Sequence, residues 1–336
     1  IKASLQACFF LFVLVPATRA QQWHFDDATR KAYNLVLNLQ ARQACALIPN
    51  PATPQQAYVV SLAHAVELGL TENEKLREQY EQTYENLVDR YEKKQSADVY
   101  FLLAEMHLQW AFIYLKAGHE FDAALSLKEG YALVQACKQK FPAYTAIQKT
   151  SGILEIIIGA VPEKYAWVLS LMGIHGTTTS GMQQLAAVQI SDAELALETK
   201  VWHALAAAFV LQETWRAMQT ISALIAQDST NCLALFTGAV LALKNAESDQ
   251  AWVWLNQFNL LNKGLPVYYG FYLVGEICLQ RTEYDKAIEA YQYFLKHYSG
   301  VNYVKDAHFK TGLCYLLNGD TSQARAAFAQ ARHAGK

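Results

Sequence analysis

A pattern of small and aromatic residues occurs twice near the end of this chain, and the two copies are 37 positions apart. In each copy an alanine lies twelve residues after a glycine, and an aromatic residue lies four residues after the alanine. The two sets are Gly275, Ala287, Tyr291 and Gly312, Ala324, Phe328. Self-similarity at a period of roughly 20–50 residues is typical of arrays in which each unit stacks on the next. The repeat therefore predicts an array of stacked units.

The rest of the chain shows helical periodicity, with short loops between the predicted helices. Strand-like alternation is almost absent, and Gly (16) and Pro (7) are scarce for 336 residues, which argues against an all-β protein. In a helical unit, the small residues of the repeat let two backbones approach, and the aromatic residue fills the gap between adjacent units. We therefore predict an all-α fold in which Gly275, Ala287, Gly312 and Ala324 lie at close helix–helix contacts.

The two copies resemble the tetratricopeptide repeat (TPR), in which small and aromatic residues have a similar spacing. Weaker matches lie at residues 202–209, 237–241 and 111–127. The resemblance covers about residues 195–336, and its period is longer than the usual ~34 residues. It implies a right-handed α-solenoid of stacked antiparallel helix pairs that binds a protein or peptide partner.

A second resemblance lies in the middle of the chain, at residues 97–185. It rests on the spacing of Gly152, Pro162, Leu169, Gly173, Gly176 and Gly181. This spacing resembles a divergent TPR family that includes outer-membrane inclusion-clearance-like proteins of eukaryotes and uncharacterised exported bacterial relatives. The resemblance implies a helical scaffold without catalytic residues. We therefore predict a divergent helical-repeat region at 21–190 and TPR repeats at 191–336.

Residues 1–20 differ from the rest of the chain. A lysine precedes an apolar run at 5–15, and a proline then leads to the small-x-small pattern Thr18-Arg19-Ala20. This order is typical of a secretory signal peptide that is cleaved after Ala20, and the apolar run is too short to span a bilayer. The alternative is a buried N-terminal helix. We predict export to the periplasm or cell envelope of a bacterium, with no transmembrane segment in the mature chain.

The stretch 151–181 is the most apolar long segment after residue 20, and three interpretations compete. A membrane span is disfavoured because three charged residues and a proline interrupt the stretch. A phosphate loop at 176–181 is disfavoured because Met182 stands where a P-loop has lysine, and because no strand precedes the loop. We predict buried helices, with 151–171 in the protein core and a new helix starting at 177–180.

The sequence contains no motif that indicates catalysis or a cofactor. The nine histidines lack metal-ligand spacing, and His119-Glu120 does not continue into a zincin motif. The five cysteines after residue 20 include no C-x-x-C pair, so we expect them to be small buried residues. The net charge of −2 excludes a strong electrostatic footprint for nucleic acid. We predict a non-enzyme without cofactor or metal, whose partner is not a nucleic acid.

The register of the repeats predicts which residues line a partner-binding groove. In a TPR array the first helix of each unit lines the concave face. The predicted groove residues are Lys200, His203, Tyr269, Tyr272, Glu276, Gln280, Asp306 and Phe309. Tyrosine-rich surfaces suit protein partners, since large rigid side chains lose little entropy on contact. The alternative is that these residues pack against further repeats or a capping helix.

We therefore predict an exported scaffold that binds a protein or peptide partner through this groove. Two other classes stay open: a small-ligand-binding protein or enzyme with a pocket near residues 151–181, and a structural subunit of an envelope assembly. The chain lacks an initiator Met and ends without the polar cap that terminal repeats usually need. The sequence therefore also leaves open a truncation at either end.

Overall fold

The computed structural model describes residues 22–162 and 173–334. Within these two ranges the regular secondary structure is entirely α-helical, and sixteen helices follow one another. The all-α solenoid predicted from the sequence is therefore confirmed. The predicted signal peptide at 1–20 lies outside the described residues, and so does the 163–171 part of the predicted buried core.

Seven helices precede residue 160: α1 (Asp27–Leu37), α2 (Ala41–Leu47), α3 (Pro54–Thr71), α4 (Glu74–Tyr91), α5 (Ala97–Ala117), α6 (Glu120–Lys140) and α7 (Ile147–Gly159). Nine follow residue 173: α8 (Thr178–Ser191), α9 (Ala196–Phe209), α10 (Thr214–Gln227), α11 (Cys232–Lys244), α12 (Ser248–Leu261), α13 (Tyr269–Gln280), α14 (Tyr284–His297), α15 (Val304–Leu317) and α16 (Thr321–His333).

Polar side chains determine where several of these helices begin. Asn73 accepts a hydrogen bond from the backbone N–H of Leu76 (3.1 Å) at the start of α4. Thr177 accepts one from the N–H of Ser180 (3.1 Å) at the start of α8. Such a cap satisfies one of the backbone donors that every helix start leaves without an intrahelical partner. The predicted helix start within the glycine-rich stretch 176–181 is therefore confirmed.

The apolar stretch after residue 150 is protein core in its described part. Ser151 and Leu154 of α7 are almost fully buried, and α7 packs closely on α8. A Cβ atom built on Gly181 would lie 2.4 Å from the carbonyl oxygen of Gly152, so the two backbones touch. Over the described residues, every helix falls short of the length and apolarity that crossing a bilayer requires.

A buried ionic network lies at the centre of the N-terminal helices. Lys149 of α7 has no exposed surface, and its ammonium group pairs with Glu105 of α5 (2.5 Å) and Glu198 of α9 (2.8 Å). The hydroxyls of Tyr33 and Tyr58 donate to Glu198 at 2.9 Å and 2.6 Å. Burial opposes the charge of Lys149, but the two carboxylates outweigh burial and raise the Lys149 pKa. Helices α1, α3, α5, α7 and α9 therefore meet in one network around Lys149 and Glu198.

The N-terminal and C-terminal helices form two hydrophobic clusters that interlock. Leu39, just after α1, is buried among side chains of α9–α15, whereas Leu265, just before α13, is buried in the N-terminal cluster. The backbone N–H of Leu265 donates to the carbonyl of Leu39 (3.2 Å). The N–H of Cys232 donates to Asn38 Oδ1 (3.1 Å). The predicted boundary between 21–190 and 191–336 stays a prediction.

The repeat positions lie where α13 packs on α14 and where α15 packs on α16. A Cβ atom built on Gly275 would lie 2.4 Å from the Tyr291 ring, and one built on Gly312 would lie 2.7 Å from the Phe328 ring. The alanines of the repeat are also buried, namely Ala287 and Ala324. The predicted close contacts between helices are therefore confirmed.

The same packing occurs one unit earlier. A Cβ atom built on Gly238 of α11 would lie 2.9 Å from the ring of Trp254 of α12. Gly238 and Trp254 precede Gly275 and Tyr291 by 37 positions each. The 37-residue period therefore extends over three consecutive helix pairs. The sequence pattern is weaker in this unit, because Gln250 takes the place of the alanine and Trp254 that of the tyrosine or phenylalanine.

Each of these three helix pairs is joined by a turn with one residue in the left-handed backbone region. The φ angle is +60° at Ala246, +60° at Thr282 and +86° at Gly319. In the second turn, the N–H of Glu283 donates to the carbonyl of Cys278 (2.8 Å), which closes the end of α13. This backbone region costs an L-residue roughly 1–2 kcal/mol, and only glycine avoids the cost. Thr282 is therefore strained, whereas glycine already occupies the equivalent position 37 residues later.

Thr282→Gly should stabilise the protein by about 0.5–1 kcal/mol, because the turn keeps its shape while the strain is removed. Thr282 is exposed, so the change removes no core packing. Urea denaturation measures the free energy of unfolding. Glu289→Gly, at an exposed position inside α14, is the matched control and should destabilise by about 1 kcal/mol. Equal destabilisation by both changes would show that the turn at Thr282 is unstrained.

Candidate functional site

Three of the predicted groove residues meet in one polar cluster between α13 and α15. The Tyr272 hydroxyl donates to Asp306 Oδ2 (2.5 Å). Lys310, which sequence reasoning missed, donates to the Tyr272 hydroxyl (2.9 Å) and to Glu276 Oε2 (2.7 Å), and it pairs with Asp306 (2.8 Å). Asp306 and Lys310 are four positions apart on one helix, which is the spacing of an intrahelical ion pair. That spacing is the signal that could have identified Lys310.

The charged groups of this cluster all have partners of opposite charge or hydrogen-bond partners within it. Burial opposes the charge of Lys310, but hydrogen bonds to Asp306 and Glu276 outweigh burial and raise the Lys310 pKa. Burial, together with the hydrogen bond to Asp306, raises the pKa of Tyr272. Tyr272 is only 6% exposed. The cluster therefore joins α13 to α15, and little of the Tyr272 side chain is accessible from outside.

An aromatic cluster continues from Tyr272 toward the start of α15. The ring of Tyr269 stacks on the ring of Tyr272, with centroids 5.3 Å apart and planes 12° apart. Tyr303 packs against both, at 4.7 Å from Tyr269 and 5.1 Å from Tyr272. Tyr303 is 43% exposed, so the cluster reaches the surface through a residue that the repeat register did not predict.

Phe309 lies in a separate hollow, formed by the two helices of the last unit. Its side chain is 50% exposed, and its ring packs against Phe328 at a centroid distance of 5.5 Å. The hollow has a volume of about 700 Å³, and Lys305 and Arg332 also line it. Neither cation forms an ion pair with any of the described residues. We call this surface the Phe309 hollow.

The remaining predicted residues lie on other parts of the solenoid. Gln280 is exposed at the end of α13, where its amide donates to the carbonyl of Leu243 (3.3 Å). Lys200 and His203 are half-buried on α9. His203 lines a hollow of about 440 Å³ together with Arg216. Burial lowers the pKa of His203. The eight predicted residues are thus distributed over several surfaces, and their contact with a partner stays a prediction.

A hollow of about 520 Å³ lies beside α7 and α8, near the pocket that the sequence left open as an alternative. Lys138 Nζ donates to Ser151 Oγ (2.5 Å) and to Gln184 Oε1 (3.2 Å). The same ammonium group pairs with Glu155 at 3.5 Å. The polar groups of this hollow therefore pair with one another in the described part of the chain.

Distant parts of the chain meet at a contact between residues 71–72, Lys116 and residues 299–302. Glu72, at the end of α3, accepts hydrogen bonds from the backbone N–H groups of Val301 (3.1 Å) and Asn302 (3.2 Å), the latter 230 positions away in the chain. Lys116, at the end of α5, pairs with Glu72 at 2.9 Å. We call this set the closure contact. No sequence pattern indicated it.

A cavity of about 430 Å³ lies beside the closure contact. Its apolar lining includes Leu62, Val66, Phe112, Ile113, Trp202 and Val301. Gln109 of α5 also lines it, and the Gln109 Nε2 atom is buried without a hydrogen-bond partner among the described residues. We call this space the closure cavity.

The described residues show no metal centre and no reactive thiol. No three His, Cys, Asp or Glu side chains among them are placed to hold a metal ion. The cysteines at 137, 232, 278 and 314 are buried and Cys45 is half-buried, and all five are free. Burial raises the pKa of Cys45 to about 11 and that of Cys137 to about 12. These thiols therefore match the predicted small buried residues.

Comparison with known proteins finds a tetratricopeptide repeat in one part of the chain and a similar fold over most of it. Residues 275–336 match the family model of the tetratricopeptide repeat. A chain in the crystal structure of the APC/C hetero-tetramer Cut9–Hcn1 is similar over 90% of this chain, with a TM-score of 0.58 and 15% sequence identity. The match covers 51% of that chain, so the present chain spans about half the length of the structure it matches. At this identity the likeness shows the fold alone. No curated protein matches the sequence.

Glu72→Gln should weaken the closure contact by about 2 kcal/mol at neutral pH, because hydrogen bonds to a charged acceptor are stronger than those to an amide. Burial opposes the charge of Glu72, but hydrogen bonds from Tyr298 and the charge of Lys116 outweigh burial and lower the Glu72 pKa. A carboxylate with a lowered pKa stabilises the fold above its unfolded pKa, and that stabilisation is lost as pH falls through the folded pKa.

The free-energy difference between wild type and Glu72→Gln should therefore be largest at pH 7 and should shrink as the pH falls below the ordinary carboxyl range. Denaturant titrations at a series of pH values measure it. Glu92→Gln, at an exposed position after α4, is the control and should change stability little at any pH. A difference that stays constant down to pH 3 would exclude the ionised Glu72 as the stabilising group.

Proposed function

We propose that this protein is an exported scaffold that binds a protein partner through its C-terminal repeats. The solenoid fold supports this function, because stacked helix pairs present extended surfaces for binding. The observation that carries the proposal is the Phe309 hollow, where a half-exposed aromatic ring lies beside Lys305 and Arg332. An aromatic anchor with unpaired cations beside it suits a hydrophobic segment that also carries acidic residues.

The other predicted residues contribute to this surface in a different way. Tyr272, Glu276 and Asp306 bond to Lys310, so we propose that they hold α13 against α15 and thereby shape the groove. Truncation of the nearly buried Tyr272 is expected to destabilise the fold, since removing a large buried side chain leaves a cavity. Phe309 is therefore the better residue for a test of partner binding.

We propose binding without catalysis, because stacked helix pairs supply extended surfaces for binding. The resemblance of residues 97–185 to outer-membrane inclusion-clearance-like proteins stays a prediction. The roles of ligand-binding protein and envelope subunit also stay alternatives, and the paired polar groups beside α7 and α8 do not favour a ligand there.

Phe309→Ala should weaken partner binding by about 2 kcal/mol, or roughly 30-fold in Kd, because aromatic anchors dominate such interfaces. Affinity capture from native envelope extract identifies the partner, and calorimetry with the purified partner gives the Kd. Phe121→Ala removes a ring that is 75% exposed on α6 and is the matched control. Unchanged affinity in a folded Phe309→Ala variant would show that the partner binds elsewhere.

Residues 1–20 should direct export, because their order of charge, apolar run and small residues is that of a signal peptide. A fusion of residues 1–25 to an alkaline phosphatase without its own leader should be active in the periplasm of a bacterial host and should be cleaved after Ala20. A double change of Leu11 and Val13 to Asp should abolish export. An inactive fusion that stays in the cytoplasm would contradict the proposed localisation.

A further inference from the structure

We infer that the closure cavity binds a small neutral molecule with an aromatic body and one hydrogen-bond acceptor, such as an aryl ketone, ester or amide. The cavity volume of about 430 Å³ falls in the range of roughly 300–1,000 Å³ that is typical of small-molecule sites. Sites of this kind are mostly apolar and carry few polar groups, which fix the orientation of the ligand. Phe309 does not line this cavity, so the ligand site is separate from the proposed partner surface.

Gln109 supplies the polar group that points to a ligand. Its side chain is 8% exposed, and its Oε1 atom accepts a hydrogen bond from the Ser61 hydroxyl (2.6 Å). In this orientation of the amide the Nε2 end is the free donor, and Nε2 is buried without a partner among the described residues. A buried donor without a partner is unfavourable, and native proteins rarely leave one. A ligand with an acceptor atom would satisfy it.

Gly69 keeps the cavity open from the side of α3. Glycine is a poor helix former, and Gly69 lies in the last turn of α3, two residues before its end. A Cβ atom built on Gly69 would meet no atom within 4 Å, in contrast to the close contacts of Gly275 and Gly312. Helix packing therefore does not require glycine here. The missing side chain instead leaves volume in the closure cavity, which Gly69 lines.

The charged residues of the cavity indicate that the ligand is neutral. Lys116 pairs with Glu72 at 2.9 Å. Arg77 pairs with Glu74 at 2.5 Å and with Glu81 at 2.6 Å. The cations that line the cavity therefore already have carboxylate partners. A charged ligand would enter an apolar space without a free counter-ion, which is unfavourable.

Two stacked rings indicate the shape of the ligand. Phe112 of α5 and Trp202 of α9 both line the cavity, and their rings lie nearly parallel, with centroids 5.4 Å apart and planes 21° apart. Offset stacking and edge contacts with such rings favour a flat aromatic body. Because Lys149 pairs with Glu105 of α5 and Glu198 of α9, the network around Lys149 also holds together the two helices that carry these rings.

The test uses prodan, a neutral naphthalene with a ketone carbonyl whose fluorescence reports an apolar environment, and the purified full chain. The wild type should bind prodan saturably at one site. Gly69→Leu fills the cavity and should weaken binding at least about tenfold, whereas Gly69→Ala adds one methyl group and should stay within about twofold. Thermal melts of both variants show whether they fold.

Gln109→Met tests the donor separately. It should weaken prodan binding about tenfold through the lost hydrogen bond. It should leave binding of dimethylaminonaphthalene, which lacks the ketone, within about twofold of wild type. Equal weakening of the binding of both probes would overturn the role of Gln109.

Wild-type protein that fails to bind prodan saturably, or a folded Gly69→Leu variant with unchanged affinity, would overturn the site. Equally tight binding of the anionic anilinonaphthalene sulfonate would overturn the neutral class.

Discussion

The buried ammonium group of Lys149 places the helices of the N-terminal half. It lies between the carboxylates of Glu105 and Glu198, with tyrosine hydroxyls completing the network. Removing one partner of such a buried pair typically costs about 3–5 kcal/mol, because it leaves an uncompensated charge. Few arrangements of α3, α5, α7 and α9 satisfy all of these groups at once. The network therefore determines how the helices that carry it lie relative to one another.

The closure contact depends on that arrangement. Glu72 and Lys116 end the two helices that contribute Tyr58 and Glu105 to the network. Because these helix ends are held side by side, the carboxylate of Glu72 can accept hydrogen bonds from the segment before α15. The closure cavity follows, since α3, α5 and α9 enclose space that no side chain fills. The ion network that joins α5, α7 and α9 thus positions a ligand-sized space beside these helices.

Most of the described charged side chains near the repeats form ion pairs with one another, so they are not free to bind a charged partner. The cluster around Lys310 holds α13 to α15, and the cations of the closure cavity have carboxylate partners. Lys305 and Arg332, beside Phe309, are different because they form no ion pair with the described residues. The solenoid therefore presents an aromatic, basic surface at its last unit and an uncharged apolar cavity at its closure. These two surfaces suit partners of different chemistry.

Interactions within about one repeat could be predicted from the sequence, whereas interactions between distant repeats could not. Helix periodicity, caps such as Asn73 and the 37-residue register depend on neighbouring residues, so the glycine–aromatic packing of Gly275 was predictable. The repeat register also brought Tyr272 and Asp306 together, because they lie on adjacent first helices. The closure contact joins residues 230 positions apart, and the pairing of Lys149 with Glu198 joins helices from different units. A repeat pattern specifies how one unit packs on the next, but small rotations per unit accumulate along the array. Only the tertiary structure therefore decided which distant side chains meet and where the cavity lies.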